Sequence, residues 1–203
     1  MGLAVRSDDV VLQRPEDVRY LVPVFHTWNA CCGAATAYLL RRIAYRAGAY
    51  APGLQEQIFH ELNTSRDGGT IDKVQRWFDG RVGSLHELGY RLQCRRVATP
   101  TPAILDWVKQ GKGYRGAMMP TTFKKVHPQP GASGDAPEDM VGHAVGVTID
   151  RLDAKADEEL VMIDPWPGVV GGASDRGKLS PALESAHRDK NFHALVYYWA
   201  GWS

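Results

Sequence analysis

The chain has 203 residues, 44% of them hydrophobic, which is enough apolar content for one sizeable core and leads us to expect a single domain over 1–203. A formal net charge of +1 without a long single-sign run gives no argument for nucleic acid or an anionic membrane surface as partner. Three cysteines, two of them adjacent, make no disulfide framework, and reduced thiols fit a cytoplasmic protein or one acting in a host cytosol. The first residues lack an apolar stretch of signal-peptide length, and no run of about eighteen apolar residues occurs, so no membrane span is expected. Arg6 stands where a myristoylation site has Ser or Thr.

In chain order, residues 1–20 read as an extended lead-in with a short strand at 10–12, and 21–25 as a segment that Pro23 makes a poor interior strand. Cys31 and Cys32 then precede Gly33, Ala34 and Ala35 and an apolar run at helical spacing. This pattern predicts a helix from about Cys32 to Ala47, stopped by Gly48, with Tyr38, Leu39, Ile43 and Ala47 buried and Arg41, Arg42 and Arg46 toward solvent. A thiol in the first turn meets unpaired N–H groups and the positive end of the dipole, which favour a thiolate. The cysteine pair alone is equally an inert, buried helix start.

A second helix is expected over 53–62, with Leu54, Ile58 and Leu62 on one face. His60 and Glu61 within it have no second histidine at the metalloprotease spacing. After a loop at 63–69, Thr70 caps a third helix, whose Ile71, Val74 and Trp77 or Phe78 share a face and which is expected to end at Gly80. Residues 90–97 alternate as a strand, with Leu92 and Cys94 inward. Thr101 as N-cap and Pro102 at the first position open a fourth helix that Gly111 stops, and 115–123 read as a strand.

Residues 124–141, rich in Pro and Gly, form either a plain surface loop or a cleft rim that selects substrate. Strands at 144–149 and 160–163, joined by a charged turn, would put His143 and Asp164 at the same end of an antiparallel pair. Beyond Asp164, Trp166 either covers a His143–Asp164 pair or fills the core; a loop at 168–178, a short helix from Ser180 and a strand at 192–200 complete the reading. His86, His127, His187 and His193 lack partners at ligand spacing, and a zinc site from His26, Cys31 and Cys32 ranks below catalysis.

Cys32 with Gly33, Gly142 with His143, and Asp164 with Pro165, in that order, resemble the papain-like cysteine peptidases, closest to their C39-like branch. The resemblance implies an α+β fold in which the helix bearing the nucleophile packs on an antiparallel β-sheet. It also implies a nucleophile at Cys32, a general base at His143 and an orienting residue at Asp164. The family's oxyanion glutamine stands six positions before the nucleophile, where this chain has His26. Choosing Cys31 instead would place Phe25 at that offset, so Cys32 is the expected nucleophile and Cys31 a packing residue. The implied activity is hydrolysis of a peptide or protein amide through a thioester, with no metal or organic cofactor. An acyltransferase or deamidase, a cell-wall amidase, and a non-catalytic binding protein on the same scaffold stay open beside it.

Overall fold

The computed structural model describes residues 31–49, 54–62, 70–122, 142–150, 159–163 and 193–203. Over these the protein is α+β. Helices α1 (Cys31–Arg46), α2 (Leu54–Leu62) and α3 (Ile71–Glu87) precede strand β1 (Leu92–Val97) and helix α4 (Thr101–Gln110). Strands β2 (Arg115–Thr122), β3 (Gly142–Asp150), β4 (Glu159–Ile163) and β5 (Ala194–Trp199) follow. The five strands form one sheet in the order β1-β5-β2-β3-β4, and every neighbouring pair is antiparallel. No helix among the described residues is long and apolar enough to cross a membrane.

The expected antiparallel pairing of the last two central strands is present, with Gly146 opposite Ile163 and Asp150 opposite Glu159. Alternation along β2, β3 and β5 then divides the core in two. Met118, Ala144, Leu195 and Tyr197 meet α1 on one face of the sheet, and Ala117, Val145, Val147 and Val196 meet Ile104 and Val108 of α4 on the other.

Helix α1 lies between the sheet and α2, so that Ala34 through Leu40 are all buried. Its positive face is not simply solvated, as the sequence suggested. Arg42 is buried, and the Arg46 guanidinium donates to the Lys112 carbonyl (3.0 Å) and lies over the Tyr114 ring. The stop at Gly48 is as expected. Gly48 takes a positive φ, and the Gly48 and Ala49 N–H groups bond back to Tyr45 and Ala44, closing a Schellman motif.

Two helix limits differ from expectation. Helix α3 starts at the Thr70 cap, whose hydroxyl accepts from the Lys73 N–H (3.2 Å), but it passes through Gly80 and runs on to Glu87. An exposed mid-helix glycine costs only about 1 kcal/mol, and burial of Val74, Phe78 and Leu85 along one face outweighs that. The stop comes at Gly89, where φ is positive. In α4 the cap is Pro100 and Thr101 is already helical, a shift of one residue.

The seat of α1 on the sheet depends on two glycines. A Cβ on Gly116 would come within 3.0 Å of Leu39 Cδ2 and 3.3 Å of the Val147 carbonyl oxygen, and one on Gly146 within 3.2 Å of Leu39 Cγ. Their lack of side chains lets the helix approach β2 and β3 closely enough to set its first turn against the start of β3. Gly116→Val should therefore lower unfolding free energy by about 1–3 kcal/mol in a denaturant titration, because overpacking forces Leu39 off its rotamer. An unchanged midpoint would show that the helix is not seated by these glycines.

Candidate active site

The rotation of α1 decides which cysteine meets the histidine. Thr36 bonds the Tyr197 hydroxyl on β5 (2.8 Å), while Leu39 lies over Gly116 and Gly146 on β2 and β3. Each helical residue turns by about 100°, so Leu39 stands about 60° from Thr36, in the direction of β3. A further turn of about 80° in the same sense reaches Cys31, whereas Cys32 projects between Thr36 and Leu39, into the core. Tyr197 is accordingly an electrostatic neighbour of Cys32.

The groups that act on the Cys31 thiol are the thiol of Cys32, the ring of His143 and the backbone of Ala144. The hydrogen bond from Cys32 contributes most. Burial opposes ionisation, and the bond to His143, its positive charge and the Ala144 N–H add to the first effect. Together they hold the Cys31 thiol well below the usual thiol range. Cys32 moves the other way, because its hydrogen bond to Cys31, its burial and the charge on Cys31 all favour the protonated form. Cys94 provides an internal contrast. Its thiol approaches the Gln75 side-chain oxygen (3.8 Å), and burial, with the nearby charge of Asp79, pushes it far above the usual range.

The imidazole comes from the second residue of β3, where His143 stands opposite Thr121 and is only 3% exposed. Cys31 and Cys32 are 6% and 9% exposed. A thiol and an imidazole so deeply buried interact in a medium of low polarity, where an ion pair is stronger than at the surface.

Of the residues singled out in the sequence, the structure brings His143 together with the cysteine pair, but through Cys31 and not through Cys32. The sequence reading took Cys32 as the nucleophile, whereas the cysteine on which the His143 charge acts is Cys31. The sequence reading weighed Cys31 as a packing residue and did not single out Ala144. His26 and Asp164 lie outside the described residues, as do 1–25, the loops at 63–69 and 124–141, the turn at 151–158, and Trp166, the loop at 168–178, the helix from Ser180, His127 and His187. Strand β4 does run toward the His143 end of β3, reaching Ile163 opposite Gly146. Among the described residues, no three His, Cys, Asp or Glu side chains gather as metal ligands would. His86 bonds the Leu92 carbonyl oxygen and the Gln93 side chain, a satisfied structural residue.

A separate groove of about 420 Å³ lies between α2 and α3, lined by Leu54, Ile58, Trp77, Leu85 and Tyr90 among others. Glu61 crosses it, accepting from the Trp77 indole N–H (2.8 Å), from Gln57 (3.2 Å) and from Arg81 (2.9 and 2.5 Å). Burial works against its charge, but the bonds from Trp77, Gln57 and Arg81 leave the carboxyl below its usual range. A depressed folded-state pKa adds stability above the unfolded pKa and loses it as pH falls through the folded one. Glu61→Gln should thus lower the melting temperature at neutral pH and leave it nearly unchanged in acid. A uniform loss at all pH values would contradict the charge's role.

No family model, curated protein or solved structure matches this chain.

Proposed function

We propose that this chain is a papain-like cysteine hydrolase that cleaves a peptide or protein amide through a thioester, with Cys31 as nucleophile and His143 as acid and base. The observation that carries the reading is a buried thiol in the first turn of α1 that has the buried His143 imidazole as an electrostatic neighbour. The α+β architecture supports it, since the thiol-bearing helix packs on the antiparallel sheet that bears the histidine.

In this mechanism the Cys31 thiolate attacks the carbonyl carbon, and the developing oxyanion is met by N–H groups of the first turn of α1, which lack intrahelical acceptors. His143, as imidazolium, gives its proton to the leaving amine and the thioester forms. Neutral His143 then takes a proton from water, hydroxide adds to the thioester carbonyl, and Cys31 leaves as thiolate. Asp164, next in sequence after Ile163, is the proposed residue that orients His143 and favours its charged form. His26 stands five positions before Cys31, one closer than the family's glutamine, and is the proposed side-chain donor to the oxyanion.

The test is a peptide-like electrophile followed by product analysis. It should label Cys31 in the folded protein and fail in His143→Ala. Mass spectrometry of peptides incubated with the wild type should show cleaved chains that have gained water. Conversion of glutamine to glutamate without cleavage would make the chain a deamidase on the same pair. Absence of both labelling and turnover would favour a binding protein on this scaffold.

A further inference from the structure

Strand β1 is one edge of the sheet: β5 pairs with one side of it, and among the described residues no strand pairs with the other. Which backbone groups face outward follows from the register. The Ala200 N–H bonds the Arg91 carbonyl (2.7 Å), so Arg91, Gln93, Arg95 and Val97 direct their N–H and C=O groups toward β5. Those of Leu92, Cys94 and Arg96 point away from the sheet. The His86 ring meets the Leu92 carbonyl there (3.1 Å), whereas no described residue bonds the outward groups of Cys94 and Arg96. Side chains alternate along the same strand. Leu92, Cys94 and Arg96 face α3, where Asp72 holds the Arg96 guanidinium and Asp79 lies near Cys94. Arg91, Gln93 and Arg95 face the other side of the sheet, where α4 packs on β2, β3 and β4. Arg91 and Arg95 are exposed, and neither has a carboxylate partner among the described residues.

We propose that the β1 edge docks an extended acidic segment of a partner protein by strand addition, with carboxylates opposite Arg91 and Arg95. Backbone and side chains each supply part of the recognition. The N–H and C=O groups of Cys94 and Arg96 offer an added strand its ladder bonds. Arg91 and Arg95 lie on one face, four positions or about 13 Å apart, so they match carboxylates four residues apart in an extended chain. The planar guanidinium fork suits a carboxylate, and Gln93 between them stands beside Tyr198 of β5. A second copy of this chain is the wrong occupant, because pairing β1 with itself would set arginines against arginines. A nucleic acid would meet the arginines through its phosphates and leave the outward backbone groups unused. The edge is remote from His143, since β5 and β2 separate β1 from β3. The proposal therefore stands independently of the reading of Cys31 as nucleophile.

The experiment is fluorescence anisotropy of the full chain with a labelled peptide of about nine residues, rich in threonine and valine, carrying two glutamates four residues apart. The peptide is checked intact by mass spectrometry after each titration. Saturable binding at low salt is expected, weakening as salt is added. Arg95→Glu should weaken it about five- to tenfold, and Arg91→Glu with Arg95→Glu at least tenfold, because attraction becomes repulsion. Arg95→Gln should fall between wild type and Arg95→Glu, and Lys109→Glu, an exposed charge on α4, should change nothing. Both arginines are exposed, so the variants should keep the wild-type circular dichroism. Peptides N-methylated at alternate amides separate strand addition from simple charge attraction. One set of alternate positions should abolish binding and the other should spare it. Four results would overturn the proposal: no saturable binding, equal affinity in folded Arg95→Glu, indifference to N-methylation, or a single-stranded oligonucleotide bound more tightly than the peptide and lost with the same arginines.

Discussion

Cys31→Ala is expected to abolish amide hydrolysis, with a loss on the order of 10⁴–10⁶ in turnover, the scale seen when a covalent nucleophile is removed. The thioester cannot form on Cys31, and the neighbouring Cys32 thiol is held protonated. The fold should survive, since alanine fills the first helical turn without strain and only one sulfur is lost from the core. Cys32→Ala should behave differently, retaining turnover at neutral or higher pH. The pair of variants is informative because neither outcome follows from cysteine content. If Cys32→Ala were the dead variant and Cys31→Ala the active one, the rotation of α1 described above would not be the one that functions.

Removing the imidazole should be nearly as damaging. His143→Ala takes away the proton donor to the leaving amine, the base for water and the positive charge beside Cys31, and a loss on the order of 10²–10⁴ is expected from the acid–base role alone. Its signature is in the pH profile. In the wild type the rate should rise with pH as Cys31 loses its proton, well below the usual thiol range, and fall again as His143 loses its own. In His143→Ala the alkaline limb should vanish, and the acid limb should move up, because the hydrogen bond and charge that favoured the thiolate are gone. A profile that keeps its bell shape without His143 would assign the second titration to another group.

How much of this was legible in the sequence varies from element to element. The antiparallel relation of β3 and β4 followed from two short apolar runs flanking a charged turn, and the register confirms it. The start of α3 followed from Thr70, while its end was misplaced because Gly80 looks like a stop unless Leu85 is seen to continue the buried face. Arg42 and Arg46 looked solvated because helical periodicity alone does not reveal that α1 is covered on both sides.

The choice between the cysteines is where the sequence reading and the proposed mechanism part. The resemblance to the family's Cys-Gly pattern and the offset to His26 both favoured Cys32. The periodicity held the contrary signal. Leu39 and Ile43 were already read as buried, and they stand seven and eleven residues after Cys32, within about 20° of it on the helical wheel. Cys32 therefore belongs to the stripe that the core covers, and Cys31, about 100° away, is the one at its margin. What the sequence could not supply was the direction of that margin. It depends on where α1 crosses β2 and β3, with Leu39 over Gly116 and Gly146.

The central claim is that one cysteine of three is a thiolate paired with an imidazole, and brief alkylation of the native wild-type protein below neutral pH, followed by peptide mapping, tests it most directly. The account predicts label on Cys31, with Cys32 and Cys94 protected by their raised pKa values. Preferential label on Cys32, or equally slow labelling of all three, would contradict it.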